Sequence, residues 1–415
     1  MAIKVLYIDG EGAFGGSSRS LFEAVKAFPE GAVLPYFLAT RGTALDFYKQ
    51  LAVDIITTRG MPRFDNTRYG YYRGVRWLIL LRELFYFPFV IVALVRARLR
   101  WKDIDLVHVN EFVYVLPGLI GKWLFHVPLV VHVRALARFG DGSIRTRVLN
   151  SMFSRYVDSV VAIDGNVRAT IPSDWPVTVI NNSFTPGLAS SPEKPLVDKL
   201  GSLPSGSFKV GFVGNLHRSK GVFEIVDAAK LIKTSGREVD FLMVGGVTMD
   251  DVGLKAWVLS KMGFAQNVRA DLARRVDQEG LGGFFHFLGP TLNIKYVYDR
   301  LDVLLFPSHF DAPGRPVFEA GFSGVPSIVA VKKPMPDTFI PGETGLAVSG
   351  RCPAELAKAI LYLEANRSEQ KRMGSNARRL AEENFDPCKN SKRLLGVYHG
   401  IVGGKSSAQI LRKRG

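Results

Sequence analysis

Residues 304–330, LLFPSHFDAPGRPVFEAGFSGVPSIVA, constrain the fold more than any other part of the chain. An apolar run stops at Pro307-Ser308, a polar turn follows, a helix begins after Gly314, and Gly324-Val325-Pro326 leads into a second apolar run. That order spells strand, loop, helix, strand, and strands joined through a helix are parallel and need cover on both faces. Similar β-branched runs at 3–9, 32–40, 53–58, 104–110, 127–133, 157–163 and 177–182 predict a doubly wound domain over residues 1–184. A Pro-, Ser- and Gly-rich stretch, 185–207, reads as a linker. A second series, with strands at 208–214, 239–245, 284–289, 303–306 and 327–331, predicts another such domain over 208–385. Residues 386–402 are expected to form a last helix and 403–415 a disordered basic tail.

Between the central strands, Asp311 and Glu319 stand eight apart, with Gly314 in the turn. A loop opening into a helix aims N–H groups and the positive end of the helix dipole at one point, where a phosphate is held without a metal. Ionised carboxylates only accept hydrogen bonds, so two beside an anion site suit sugar hydroxyls. Lys220 sits in a helix first turn, a poor place for a cation unless an anion lies there. At the first strand end, Gly10-x-Gly12-x-x-Gly15-Gly16 fits a dinucleotide fingerprint, but the second strand ends in Thr40-Arg41 instead of the acid that binds an NAD ribose. Arg41 leaves an NADP alternative open. Two polar clusters, His108-Val109-Asn110-Glu111 and His132-Val133-Arg134, fall at strand ends, where ligands bind in such sheets.

Asp311-x7-Glu319 followed by Gly324-Val325-Pro326 resembles the donor-sugar motif of the retaining glycosyltransferases of family 4. The resemblance implies the GT-B fold, two doubly wound Rossmann-like domains facing across a cleft. It implies that Asp311, in place of the usual glutamate, contacts the transferred sugar, that Glu319 contacts the nucleotide ribose, and that amides around Gly314 hold the diphosphate. The loop Asn215-Leu-His-Arg218-Ser-Lys220-Gly221 resembles the family's phosphate signature, with Lys220 matching and Asn215 standing where an arginine is expected; Arg218 and Arg315 are the candidates to replace that cation. Gly15 and Gly16 correspond to the family's closing loop, and Gly245 to the backbone the base or ribose approaches. A reacting-centre histidine of the family aligns with Arg134, with His132 two residues earlier on the same strand face, and both remain candidates. The implied substrates are a UDP- or GDP-sugar donor and a hydroxyl acceptor, with no cofactor and no metal. The alternatives are a sugar-nucleotide 2-epimerase on the same fold and a non-catalytic, membrane-associated sugar-nucleotide-binding protein.

The formal net charge of +16 asks for an anionic partner. Residues 63–102 carry nine Lys or Arg against two acids around the apolar segment 77–95, WLILLRELFYFPFVIVALV, and nothing after Asp386 is acidic. Basic and apolar together favour an anionic membrane surface over nucleic acid. Arg82, Glu83 and Pro88 interrupt the segment, so it reads as a buried helix pair or one dipping an aromatic face into lipid, not a span. The start, MAIKVLYIDGEG, reads as a strand, and Cys352 and Cys388 form no framework or metal spacing. The expected location is the cytoplasm, peripheral at the inner face of the plasma membrane, with a lipid-linked or polysaccharide acceptor. The charged stretch 250–278 is expected to be a solvated helical excursion.

Overall fold

In the computed structural model the thirteen described strands pair only in parallel, as the strand–helix–strand spelling requires. The structure describes residues 2–68, 70–187, 192–204, 206–246 and 268–412. The chain divides into two compact units, residues 1–184 with 385–415, and residues 185–384.

In the first unit β1 (Ile3–Asp9), β2 (Val33–Thr40), β3 (Asp54–Thr58), β4 (Leu106–Val109), β5 (Leu129–Val133), β6 (Ser159–Ala162) and β7 (Val177–Val179) form one sheet in the order β3-β2-β1-β4-β5-β6-β7. The order reverses between β1 and β4, which sets the carboxyl ends of β1, β4 and β5 side by side. Leu6, Ile8, Val107, Val109, Leu129 and Val131 are wholly buried on one face of these central strands. On the other face Tyr7 and His108 meet Tyr398 of the terminal helix Pro387–Arg412. Ser391 Oγ donates to the Ala27 carbonyl at 2.8 Å and Asn390 Nδ2 to the Asn181 carbonyl at 3.0 Å, tying that helix to the sheet's own loops. The helix is described as far as Arg412, into the stretch expected to be a disordered basic tail.

The second unit holds β8 (Phe208–Val213), β9 (Val239–Val244), β10 (Phe285–Gly289), β11 (Val303–Phe306), β12 (Ser327–Ala330) and β13 (Gly345–Val348), in the order β10-β9-β8-β11-β12-β13. The sequence pattern did not announce β13, only four residues long. It sits at the sheet edge because Gly345, at φ 158°, lets its backbone approach the Ser327 carbonyl, 2.0 Å from where a Cβ would stand. The expected linker holds a two-turn helix, Lys194–Gly201, anchored by buried Leu196 and Leu200. Of the expected excursion 250–278, residues 250–267 lie outside the described residues, and Val268–Gln278 is a helix.

The apolar segment is neither a helix pair nor wholly buried. It is one helix, Ile79–Arg100, that keeps Pro88 inside it. Pro88 lies on the solvent side, so the Leu84 carbonyl that loses its N–H partner is in reach of water. Val90, Ala93, Leu94 and Ala97 face the sheet while Leu81, Leu84 and Phe85 are exposed. No helix among the described residues is long and apolar enough to cross a membrane.

Candidate active site

In the second unit the loops after β8, β9 and β11 are knit together by backbone contacts. Leu216 N donates to the Gly246 carbonyl at 3.0 Å and His309 N to the Ser219 carbonyl at 2.8 Å. Gly221 lies in the left-handed region at φ 75°, and a Cβ there would stand 2.1 Å from the Pro307 carbonyl oxygen. A Cβ at Gly314 would stand 2.3 Å from the Phe306 ring. These close approaches bring Asn215, Lys220, Gly245, Gly314 and Arg315 together at the carboxyl ends of β8, β9 and β11.

Lys220 is half-buried beside the rings of Phe306 and Phe310, 5.6 and 5.1 Å from their centroids. Among the described residues no carboxylate pairs with its ammonium. Burial holds its pKa below the usual 10.5. The helices Val222–Thr234 and Arg315–Phe322 open on Gly221 and Gly314, and neither has a side-chain cap for its first N–H groups. Unfilled N–H donors and a desolvated cation at these strand ends are the parts of an anion site.

The two arginines expected to replace the cation missing at Asn215 both have carboxylate partners. Arg218 pairs with Asp271 at 3.4 Å, and Arg315 Nε lies 2.6 Å from Glu319 Oε1. Glu319 is 3% exposed and its other oxygen accepts from the Tyr298 hydroxyl at 2.9 Å. Glu319 is therefore half of an Arg315–Glu319 pair and not the lone carboxylate that the resemblance implies. Asp311 Oδ1 accepts the Lys332 N–H at 2.7 Å, which fixes this carboxylate beside the end of β12. The sequence reasoning missed a clamp: His309 Nε2 lies 2.7 Å from Glu224 Oε1, binding the β11 loop to the first turn of Val222–Thr234. The partners are 85 residues apart, and no local pattern marks either.

In the first unit the glycine fingerprint is partly a matter of packing. A Cβ at Gly10 would stand 2.2 Å from the Tyr114 ring and one at Gly12 would stand 2.6 Å from the Arg41 carbonyl oxygen, whereas Gly16 faces open space and Gly15 nearly so. At the carboxyl end of β5, Arg134 Nε donates to the Asn110 carbonyl at 2.9 Å and to Asn110 Oδ1 at 2.8 Å, and Nη1 donates to Asn182 Oδ1 at 2.6 Å. Its Nη2 lies 3.3 Å from His132 Nδ1. His132 Nδ1 is also 3.3 Å from His108 Nε2, whose Nδ1 is 2.5 Å from the Tyr398 hydroxyl. His132 Nε2 is buried without a hydrogen-bond partner. Burial, and then the Arg134 charge, hold His108 down to about 3 and push His132 well below 6.5, so both rings are neutral at physiological pH.

Glu111 accepts the Phe112 and Arg134 N–H groups through one oxygen, at 2.9 and 3.2 Å. Burial outweighs those bonds and pushes its pKa from 4.5 up to about 8. Between those values the folded protein holds a proton that the unfolded chain has lost, so stability falls as pH rises through that window. Glu111→Gln keeps the accepting oxygen and removes the titration. Urea unfolding at pH 5, 7 and 9 is expected to show the variant gaining on the wild type with pH, by on the order of 3 kcal/mol at pH 9. Parallel stabilities at all three pH values would contradict this.

Residues 198–380 match the family model "Glycosyl transferases group 1", and residues 47–185 match "Glycosyltransferase Family 4". The chain is 26% identical over 208 residues to the capsular polysaccharide biosynthesis glycosyltransferase CapM of Staphylococcus aureus, an alignment spanning half of each protein. It is 24% identical to the D-inositol 3-phosphate glycosyltransferase of Corynebacterium diphtheriae, over 87% of this chain and 86% of that one. Among solved structures, Anabaena Alr3699/HepE in complex with UDP superposes with a TM-score of 0.72 at 20% identity, over 96% of this chain and all of that one. The same protein in complex with UDP-glucose gives 0.70 at 19% identity, over 98% of this chain and all of that one. Two family models spanning most of the chain, over two all-parallel sheets of seven and six strands, make it a family-4-like glycosyltransferase of the GT-B fold.

Proposed function

We propose that this chain transfers a sugar from a nucleotide diphosphate donor to a hydroxyl acceptor with retention at the anomeric carbon and without a metal ion. The observation that carries this reading is Lys220, a desolvated ammonium with no carboxylate partner among the described residues, set where two uncapped helices begin. Such a site stabilises the diphosphate as its bond to the sugar breaks. Asp311 positions the sugar hydroxyls, Gly245 admits the nucleoside, and the Arg315–Glu319 pair meets the ribose. The acceptor oxygen bonds to the anomeric carbon on the face the phosphate leaves, and its proton passes to the departing phosphate. That HepE is described in complex with UDP-glucose supports a UDP-sugar donor, and the kinship with CapM supports an acceptor in surface polysaccharide or glycolipid synthesis. The basic, apolar helix Ile79–Arg100 supports work at the inner face of the plasma membrane.

The test is incubation of purified protein with UDP- and GDP-sugars, with and without a lipid extract, in EDTA, with the anomeric configuration of the product read by proton NMR. Transfer to acceptor with the donor's configuration kept, in the presence of chelator, is the expected result. Epimerised nucleotide sugar without acceptor, or an inverted product, would replace this reading.

A further inference from the structure

The helix Ile79–Arg100 and the carboxyl ends of β2 and β3 form the walls of an open hollow of about 580 Å³. Arg41 and Arg59, each just past its strand, and Arg96 on the helix line it together with Phe89, Val92 and Ala93. The other arginines of this region are committed elsewhere: Arg100 to Asp54, Arg82 to Glu83, and Arg98 to the Leu124 carbonyl. Among the described residues, Arg41, Arg59 and Arg96 have no carboxylate partner, and of the three side chains only that of Arg59 meets a neighbour, the Phe89 ring 5.7 Å away. All three are exposed, so water already screens much of their mutual repulsion, and an anion seated among them would remove the rest. Thr57, also on the wall, adds a hydroxyl donor.

The surroundings of the hollow favour an anion with an apolar body. Leu81, Phe85, Val92 and Leu99 recur at helical spacing, their exposures are 66, 56, 49 and 73%, and Val92 is also part of the hollow's wall. A row of large apolar side chains in water beside a cationic hollow fits neither a nucleic acid backbone nor a simple sugar phosphate. We propose that this hollow is a binding site for a phosphorylated amphiphile, with Arg41, Arg59 and Arg96 holding the phosphate and the hydrocarbon chain lying along Leu81, Phe85, Val92 and Leu99. Its role as the seat of a lipid-linked acceptor rests on the transferase reading above; the binding itself does not.

The experiment therefore measures binding without donor or turnover. Full-length protein is titrated by calorimetry with geranyl phosphate below its micellar concentration, with inorganic phosphate, and with geraniol; sedimentation with phosphatidylglycerol–phosphatidylcholine vesicles runs in parallel. Geranyl phosphate is expected to bind at least tenfold more tightly than either half alone. Each Arg→Gln substitution at 41, 59 or 96 should weaken it about fivefold, the scale of one basic side chain at an anionic lipid surface, and Phe89→Ser should weaken it without changing the response to inorganic phosphate. Arg41 and Arg96 have no side-chain partner to lose among the described residues, Arg59 loses its contact with the Phe89 ring, and Phe89 also loses its edge contact with Phe85; circular dichroism verifies that the variants fold. Equal binding of geranyl phosphate and inorganic phosphate, or full binding by R41Q/R59Q/R96Q, would overturn the proposal. So would retention on vesicles without binding of monomeric geranyl phosphate, which would make this face a membrane contact only.

Discussion

Lys220→Met is expected to lower the rate of sugar transfer by roughly a hundred- to a thousandfold while the protein stays folded. Methionine fills the same slot between Phe306 and Phe310, so the packing survives and only the charge is lost. The size follows from what one well-placed donor contributes to a developing oxyanion in a partly desolvated site, roughly two to three orders of magnitude in rate. Two facts push the effect toward the upper end. Asn215 supplies no second cation, and Arg218 and Arg315 are each paired with a carboxylate. Affinity for UDP should fall as well, because the free enzyme carries an ammonium that burial disfavours and that a diphosphate restores.

That disfavoured ammonium also sets a pH signature. Burial holds the pKa of Lys220 below 10.5 in the free protein, so as pH rises its charge is lost earlier than that of an exposed lysine. Nucleotide affinity is expected to decline over that rise in the wild type and to stay flat, at its lower level, in Lys220→Met. Isothermal titration with UDP at several pH values reads both arms. Unchanged turnover and unchanged UDP affinity in the variant would remove the diphosphate from this corner of the second unit.

Residues 304–330 were legible from sequence because strand, turn and helix each leave a short-range signature there, and the elements found, β11, the helix Arg315–Phe322 and β12, are the ones spelled. The glycines at 221 and 314 likewise mark close approaches a motif can carry. What stayed hidden depends on partners distant in the chain. Nothing near Glu319 announces that Arg315 and Tyr298 occupy its oxygens, nothing near His309 points to Glu224, and Tyr398 lies 290 residues from the histidine it touches. The Ile79–Arg100 helix was misjudged for another reason: periodicity and hydrophobicity favour a helix, but burial depends on what else covers it, and Pro88 breaks a helix only where the carbonyl it strands is shut off from water.

His132→Phe is expected to lower kcat about a hundredfold with the KM for donor little changed, and the reason lies in the direction of one hydrogen-bond chain. Arginine only donates, so Arg134 Nη2 requires His132 Nδ1 to accept. The proton of the neutral His132 ring then sits on Nε2. His108 must likewise donate from Nε2 to His132 Nδ1, accept at Nδ1 from the Tyr398 hydroxyl, and leave Tyr398 to accept from Tyr7. Every member of the chain is satisfied except the last donor, His132 Nε2–H, which is buried without a partner. An unmatched buried donor costs roughly 1–3 kcal/mol, which a substrate oxygen reaching the carboxyl end of β5 would recover. His132→Gln, which can place an N–H near the same point, should keep more activity than His132→Phe, and both should fold, as checked by thermal unfolding. Because the ring stays neutral, the wild-type rate should show no inflection between pH 6 and 8 from this group. Nitrogen-15 spectra of histidine-labelled protein should show the Nε2–H form at position 132, and Tyr398→Phe should let the other tautomer appear at position 108. A full rate in His132→Phe, with the loss confined to Arg134→Gln, would give the reacting centre to the arginine instead.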